Sequence, residues 1–289
     1  MKIAVLCLCH KNPRQINLLT KMLEHSSIDI YIHIDKKSRI ENGIKLNDHI
    51  FLLPEEYRID VEWAKISQVL ATLNLLSYAK MKNKYDFFWL MSGQDFPIKS
   101  VETIYDFFLR NSSFDFINLF DEANRHDKKR NEIFYPQWII GRKLYQRVLK
   151  RIWIGITGGY NYTFHIFRRN RLDISFYFGS QWWCLSTKVI DWMFSYLAQN
   201  SEYYKFYKNC VCPDESFFQT LYMNSPFATH RKNYLTFVNW KEKSKNSPEI
   251  LTEEDYQMLI TSPYLMARKF DIEMDENIIF KLQNNVNSV

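Results

Sequence analysis

The chain has 289 residues, enough for one large domain with a full hydrophobic core. Its 38 Lys and Arg against 32 Asp and Glu leave a formal net charge of +6, which suits anionic ligands and falls short of a dedicated nucleic-acid binder. Only 7 glycines occur, and neither GxGxxG nor GxxxxGK(S/T) is present, which excludes a glycine-rich dinucleotide site and a P-loop.

Residues 2–8 are a short apolar run and predict a buried strand. Pro13 then opens a helical pattern through Ile16, Leu19, Met22 and Leu23, as proline does at a first helical turn. Residues 29–35 alternate strictly and carry β-branched side chains, which predicts a second strand; 49–53 predict a third. A long helix is predicted over 63–81, with Ile66, Val69, Leu70, Leu73 and Leu76 on its apolar positions. Residues 85–91 form a strongly apolar strand ending in the turn-rich loop 92–97. A helix starting at Ser100 or Thr103 and a strand over 114–120 follow. Repeated β-α units imply a parallel sheet covered by helices, with ligands at the carboxyl ends of its strands. The loops 9–12, 35–38 and 92–97 each follow a predicted strand and are the first candidates for a site.

From about 125 to 171 the pattern weakens and becomes basic and aromatic, with Lys128, Lys129, Arg130, Trp138, Arg142, Lys143, Arg147, Lys150, Arg151, Trp153, Arg168, Arg169 and Arg171. The plain reading is a solvated face; the sharper one is a wall facing an anionic acceptor or a membrane headgroup layer. Residues 179–186 precede a helix from Lys188. Cys212-Pro213-Asp214-Glu215 opens a helix through Phe217, Phe218 and Leu221, and a short helix begins near Thr252. No stretch reaches about 18 apolar residues and the N-terminal run is too short for a signal peptide, so the expectation is a cytoplasmic protein, at most peripheral to the inner face of a membrane. The five cysteines are odd in number, and their two Cys-x-Cys pairs lack the usual spacing of a structural zinc site. Neither a disulfide framework nor a metal site is expected.

Three groups could carry chemistry. Glu215 falls near the third position of its predicted helix. There it could simply complement the helix dipole and bond back to the cap amide, or it could face a pocket as a general base. Arg268-Lys269 lies between Leu265-Met266 and Phe270; adjacent cations on a partly buried backbone need an anion, and a diphosphate would supply one. Asp95 is either an Asx-turn residue or a ligand group at a strand end. Glu62-Trp63 reads as a helix start, and of Trp182-Trp183 one ring is expected in the core, because neighbours on a strand face opposite ways.

Taken in order, seven segments resemble the core-2/I-branching β-1,6-N-acetylglucosaminyltransferase and peptide O-xylosyltransferase family. They are His10-Lys11-Asn12-Pro13, Ile32 to Ser38, Val61-Glu62-Trp63-Ala64 with Ser67, Ser92 to Lys99, Gly179-Ser180-Gln181-Trp182-Trp183, Pro213 to Phe218, and Ala267-Arg268-Lys269-Phe270-Asp271. The resemblance spans nearly the whole chain and leans to the xylosyltransferase side. It implies an α/β fold of GT-A type (Rossmann-like), a mixed, mostly parallel sheet flanked by helices. The chain is then one glycosyltransferase domain over 1–289, with a nucleotide-sugar-binding half at 1–120 and an acceptor-binding and catalytic half at 121–289.

The implied reaction is inverting transfer of a sugar, GlcNAc or xylose, from a UDP-sugar to an acceptor hydroxyl, with Glu215 as base. The donor would meet Leu8, His10, Asp35, Trp63, Arg268 and Lys269. The acceptor would meet Asp95, Gln181, Trp182, Trp183, Asp214 and Trp240. Arg268 and Lys269 would hold the diphosphate in place of a divalent ion, so no cofactor and no metal are expected. In accord with this, no two Asp residues stand one residue apart, as a metal-binding Asp-x-Asp requires. Gln181 departs from relatives that carry an acid there. The expected partners are the UDP-sugar and a glycan, glycolipid or other hydroxyl acceptor, with a peripheral membrane contact through 125–171 and no nucleic acid. A bacterial enzyme of surface polysaccharide or glycan synthesis fits this setting. A glycoside hydrolase or sugar-binding protein, and a basic nucleic-acid binder, are the competing classes.

Overall fold

In the computed structural model the described residues are 1–120, 130–156, 172–233, 235–240 and 247–286. Arg125, Lys128, Lys129, Arg168, Arg169 and Arg171 lie outside them. A seven-stranded sheet forms the centre, built from β1 (Ile3–Cys9), β2 (Ile28–Ile34), β3 (Ile50–Leu52), β4 (Phe87–Ser92), β6 (Asp115–Ile117), β7 (Trp183–Ser186) and β8 (Arg231–Lys232), in the order β3-β2-β1-β4-β7-β6-β8. Strands β3, β2, β1 and β4 run parallel, β7 runs antiparallel to both β4 and β6, and β8 is parallel to β6. The expected mixed, mostly parallel sheet flanked by helices is present. A second sheet of three short strands, β5 (Asp95–Pro97), β10 (Met266–Arg268) and β9 (Thr236–Val238), stands beside it in the order β5-β10-β9.

Both faces of the central sheet are covered, which is why its strands read as continuous apolar runs. The period-two alternation sends Ile3, Val5, Cys7 and Cys9 of β1 into one apolar cluster, with Ile16, Leu19 and Phe108. It sends Ala4 and Leu6 into the other, with Val69, Leu75, Leu76 and Phe218. A third, smaller cluster of Ile133, Tyr135, Ile139, Ile140, Ile154 and Val211 lies apart from these two and gathers the segment 130–156. The five cysteines are free thiols.

Two predicted starts move. The long helix begins at Ser67 and not at Trp63, because Ala64 sits in the left-handed region at φ 62° and breaks the regular backbone there. The segment after Cys212 is a 3-10 turn over Pro213–Glu215, followed at Ser216 by a break and then the helix Phe217–Met223. Cys212 itself is left-handed, at φ 51°. The helix Pro13–Met22 starts at the predicted proline, and Ser100 caps the helix Val101–Arg110 by accepting from the Thr103 amide.

Candidate active site

The parallel strands β1, β2 and β4 end on one edge of the sheet. The antiparallel strand β7 starts on that edge, and β6 ends there, since Ile117 pairs with Trp183 and Trp183 with Leu90. An open cleft of about 640 Å³ occupies that edge, bounded by Leu8, His10, His33, Asp35, Ser92 and Gln94 from the parallel half. Asn118, Gln181, Trp182, Asp214 and Glu215 line it as well, and so do Thr236, Val238, Trp240, Arg268 and Lys269 from the second sheet and the residues around it.

One wall is acidic. The turn carrying Asp214 and Glu215 is fixed through its backbone: the Glu215 amide donates to the Cys212 carbonyl at 3.2 Å, and the Cys212 amide donates to the Ala64 carbonyl at 3.0 Å. The Gly179 amide donates to the Glu215 carbonyl at 2.8 Å. Only glycine fits at 179, because a Cβ there would stand 1.9 Å from the Asn118 carbonyl oxygen. The Glu215 carboxylate does not turn back to a cap amide; it is ion-paired with Arg130. Glu215 therefore makes no bond back to a cap amide, and it lines the cleft beside the Arg130 guanidinium. Asp214 is buried, and its Oδ1 has no hydrogen-bond partner among the described residues. Burial first, and then the Glu215 charge, push its carboxyl up to about 7.

Another part of the lining is cationic. Arg268 stands across from Asp95 in the β10-β5 register, with Nη1 3.3 Å from Asp95 Oδ1, and its guanidinium lies 4.6 Å from the Trp182 ring centroid. Lys269 reaches Ser247 Oγ at 3.4 Å, and among the described residues no carboxylate lies within ion-pair distance of it. Burial, followed by the charges of Arg268 and Lys11, lowers its pKa. An anion bound here would offset the repulsion among these cations. Lys11 is tied to Asp271 at 2.6 Å, and Asn12 Nδ2 donates to the same carboxylate at 3.2 Å. His10 is held below its ordinary pKa by desolvation, then by Lys11 and Lys269.

The floor lies at the ends of β1 and β2. Asp35 accepts from the Lys37 amide at 3.3 Å and the Val61 amide at 3.4 Å. His33 Nε2 accepts from the Ile59 amide at 2.9 Å, and burial drives the ring down to about 4, so it is neutral. Trp63 is exposed at the rim, with the Arg142 guanidinium 4.6 Å from its ring centroid.

Of the residues singled out in the sequence, the structure brings Leu8, His10, Asp35, Trp63, Gln181, Trp182, Asp214, Glu215, Trp240, Arg268 and Lys269 to this one cleft. It does not bring Asp95 or Trp183 there. Asp95 is buried behind Arg268 and acts as its counterion, so no acceptor reaches it directly. Trp183 points into the core, 5.2 Å from the Phe218 ring, because the pleat turns it away from its neighbour Trp182. Arg130 and Arg142 were named only as part of the basic stretch 125–171, and His33 and Gln68 were not singled out. Gln68 Nε2 meets Gln181 Oε1 at 3.5 Å. His33 carries a readable signal, two residues before Asp35 on the same strand face; Arg130 carries none.

An α/β chain with a cleft at its strand ends, one wall acidic and one cationic, is the class defined by the fold and the site. A sequence model described as "Branch: Core-2/I-Branching enzyme" matches residues 3–260, and the chain belongs to that family. Rat (Rattus norvegicus) xylosyltransferase 1 is 23% identical over 313 residues, covering 98% of this chain and 35% of that protein. Mouse (Mus musculus) xylosyltransferase 2 is 24% identical, covering 96% and 33%, and a Ciona intestinalis xylosyltransferase is 24% identical, covering 92% and 32%. The chain thus spans about a third of the length of the curated relatives it matches. Among solved structures it is similar to galactosyltransferase LgtC in complex with donor and acceptor sugar analogs, at TM-score 0.39 and 9% identity, covering 99% of this chain and 97% of that one. It is also similar to apo mouse xyloside xylosyltransferase 1, at TM-score 0.42 and 10% identity, covering 92% and 96%.

Proposed function

We propose that the chain is an inverting, metal-independent glycosyltransferase. It moves a sugar, GlcNAc or xylose, from a UDP-sugar to an acceptor hydroxyl, in bacterial surface polysaccharide or glycan synthesis. The observation that carries the reading is that Glu215 and the Arg268-Lys269 pair line one and the same cleft at the strand ends. Membership of the Core-2/I-branching family and the xylosyltransferase relatives support the same reaction class.

The uridine lies over the ends of β1 and β2, against Leu8, His10 and Asp35, and the donor sugar near Trp63. The diphosphate meets Lys269 and Arg268. The acceptor lies between Glu215 and the anomeric carbon, in reach of Gln181, Trp182, Asp214 and Trp240. Glu215 takes the hydroxyl proton as the acceptor oxygen bonds to the anomeric carbon. The bond from that carbon to the diphosphate oxygen breaks in line, and UDP departs with the electron pair. Arg268 and Lys269 neutralise the charge that develops on the leaving group. In-line displacement inverts the anomeric centre.

The donor set bears on the metal. Among the described residues no group of three or more His, Cys, Asp or Glu gathers as a metal site would. The cleft instead offers fixed cations where a divalent ion would otherwise neutralise a diphosphate. A hydrolase needs two carboxyl groups on opposite sides of the scissile bond. Asp214 and Glu215 share one turn and one wall, which does not meet that need.

The test is a thermal-shift panel of nucleotide-sugars in excess EDTA, followed by turnover with the stabilising donor. UDP and one UDP-sugar are expected to stabilise the chain, and EDTA to leave turnover unchanged. A flat response to every nucleotide, or activity lost to EDTA and restored by Mn²⁺, would refute the proposal.

A further inference from the structure

The segment 137–156 reads Gln-Trp-Ile-Ile-Gly-Arg-Lys-Leu-Tyr-Gln-Arg-Val-Leu-Lys-Arg-Ile-Trp-Ile-Gly-Ile, with five cations and no acid. Its helix, Leu144–Ile156, is amphipathic, and one face follows the ordinary rule. Gln146 and Ile154 are buried, and Trp153 Nε1 donates to the Phe134 carbonyl at 2.8 Å. Gln146 Nε2 also donates to the Ile140 carbonyl at 3.0 Å, which anchors the helix to the third apolar cluster.

The other face breaks the rule. At 100° per residue, Leu144, Val148, Ile152, Tyr145 and Ile156 fall within one sector of about 120°. That sector faces solvent: the five side chains are 46–76% exposed, and Trp138, whose carbonyl accepts from Gln146, is 61% exposed beside them. Arg147 and Arg151 border the sector on one side and are exposed too. An apolar stripe this wide, bordered by arginines on an acid-free helix, matches a surface that is apolar in depth and anionic at its boundary.

We propose that the helix Leu144–Ile156 is a membrane-docking surface that lies in the headgroup layer of an anionic bilayer. The stripe enters the acyl boundary while Arg147 and Arg151 meet lipid phosphates. Arg142, one residue ahead of this segment's Lys143, lies over Trp63 at the cleft rim, so docking brings the cleft mouth to the lipid surface. An acceptor carried on a lipid would then reach Glu215 without leaving the bilayer. The docking surface rests on exposure and charge alone and does not depend on the transferase reading.

The test is sedimentation of the full chain with sucrose-loaded vesicles of phosphatidylcholine, with and without phosphatidylglycerol, at low and high salt. Binding is expected only with phosphatidylglycerol and weakens with salt. Arg147→Gln with Arg151→Gln lowers the partition coefficient about 30-fold, at the usual contribution per surface cation. Val148→Glu with Ile152→Glu abolishes binding. All four positions are exposed, so melting temperature and the UDP thermal shift stay unchanged in both variants. No partition into anionic vesicles, or partition indifferent to these substitutions, overturns the proposal. So does a concentration-dependent dimer that Val148→Glu with Ile152→Glu dissolves, which would make the stripe a contact with a second copy. Intact vesicle binding with a flat UDP response would count against the transferase reading alone.

Discussion

Replacing Glu215 by Gln separates chemistry from stability, and the structure sets both magnitudes. The side chains of Glu215 and Arg130 are 34% and 28% exposed, so their ion pair is worth about 0–1 kcal/mol. Gln keeps the shape and can still accept from Arg130. The bonds that fix the turn, from the Glu215 amide and to the Glu215 carbonyl, are backbone bonds that the substitution leaves alone. Melting should therefore move by no more than about 4 °C in a chain of this size. Loss of the base should cost turnover on the order of 10²–10⁴-fold, or roughly 3–5 kcal/mol in the barrier. The assay is single-turnover transfer at saturating donor, with UDP affinity read in parallel by thermal shift. UDP affinity should stay within a few-fold, because the proposed function has the diphosphate held by Arg268 and Lys269. A kcat within about threefold of the parent, in a folded protein, would refute the assignment.

Lys269→Met should weaken UDP binding about 10–100-fold by calorimetry, the loss of one charge-assisted contact of roughly 1.5–3 kcal/mol; an unchanged Kd would remove Lys269 from the donor site. Gly179→Ala should cost about 3 kcal/mol or more and lower the melting temperature by roughly 6 °C or more, since the atom in its way is the Asn118 backbone carbonyl and cannot rotate aside. Asp214 gives a pH prediction whose sign is fixed by its raised pKa. Below the ordinary carboxylate range both folded and unfolded states are protonated; between about 4 and 7 only the unfolded state ionises, so the group erodes stability as pH rises and the full penalty stands above pH 7. Asp214→Asn should then gain on the order of 1 kcal/mol or more at pH 8 relative to the parent and flatten the melting curve between pH 4 and 7. A variant equally destabilised at pH 5 and pH 8 would count against a neutral Asp214.

The parts of the fold legible in the sequence are those where burial repeats with a period. Strands β1, β2 and β4 are covered on both faces, and the helix after Pro13 has one covered face, so each writes its pattern directly into the chain. The parts that were not legible depend on single backbone angles or on distant partners. Left-handed residues at Ala64 and Cys212 are not announced by residue type, since neither is glycine or asparagine. They shortened one predicted helix and replaced the start of another by a 3-10 turn. Asp95 follows a strand as a ligand residue would, but the β5-β10 pairing makes it the counterion of Arg268. Arg130, 85 positions from Glu215, could be found only by folding the chain.

The third apolar cluster sets one segment of the chain apart. The cleft residues Leu8, His10, Asp35 and Arg268 lie on or directly after β1, β2 and β10 and rest on the central and second sheets. The segment 130–156 packs with Ala64 and Val211 in the third cluster, and it reaches the turn 213–215 and Ser216 through Arg130 and Asn131. Because Arg130 and Asn131 tie that segment to Glu215 and Ser216, a change in how the segment packs is felt at the turn 213–215, while the two sheets stand on cores of their own.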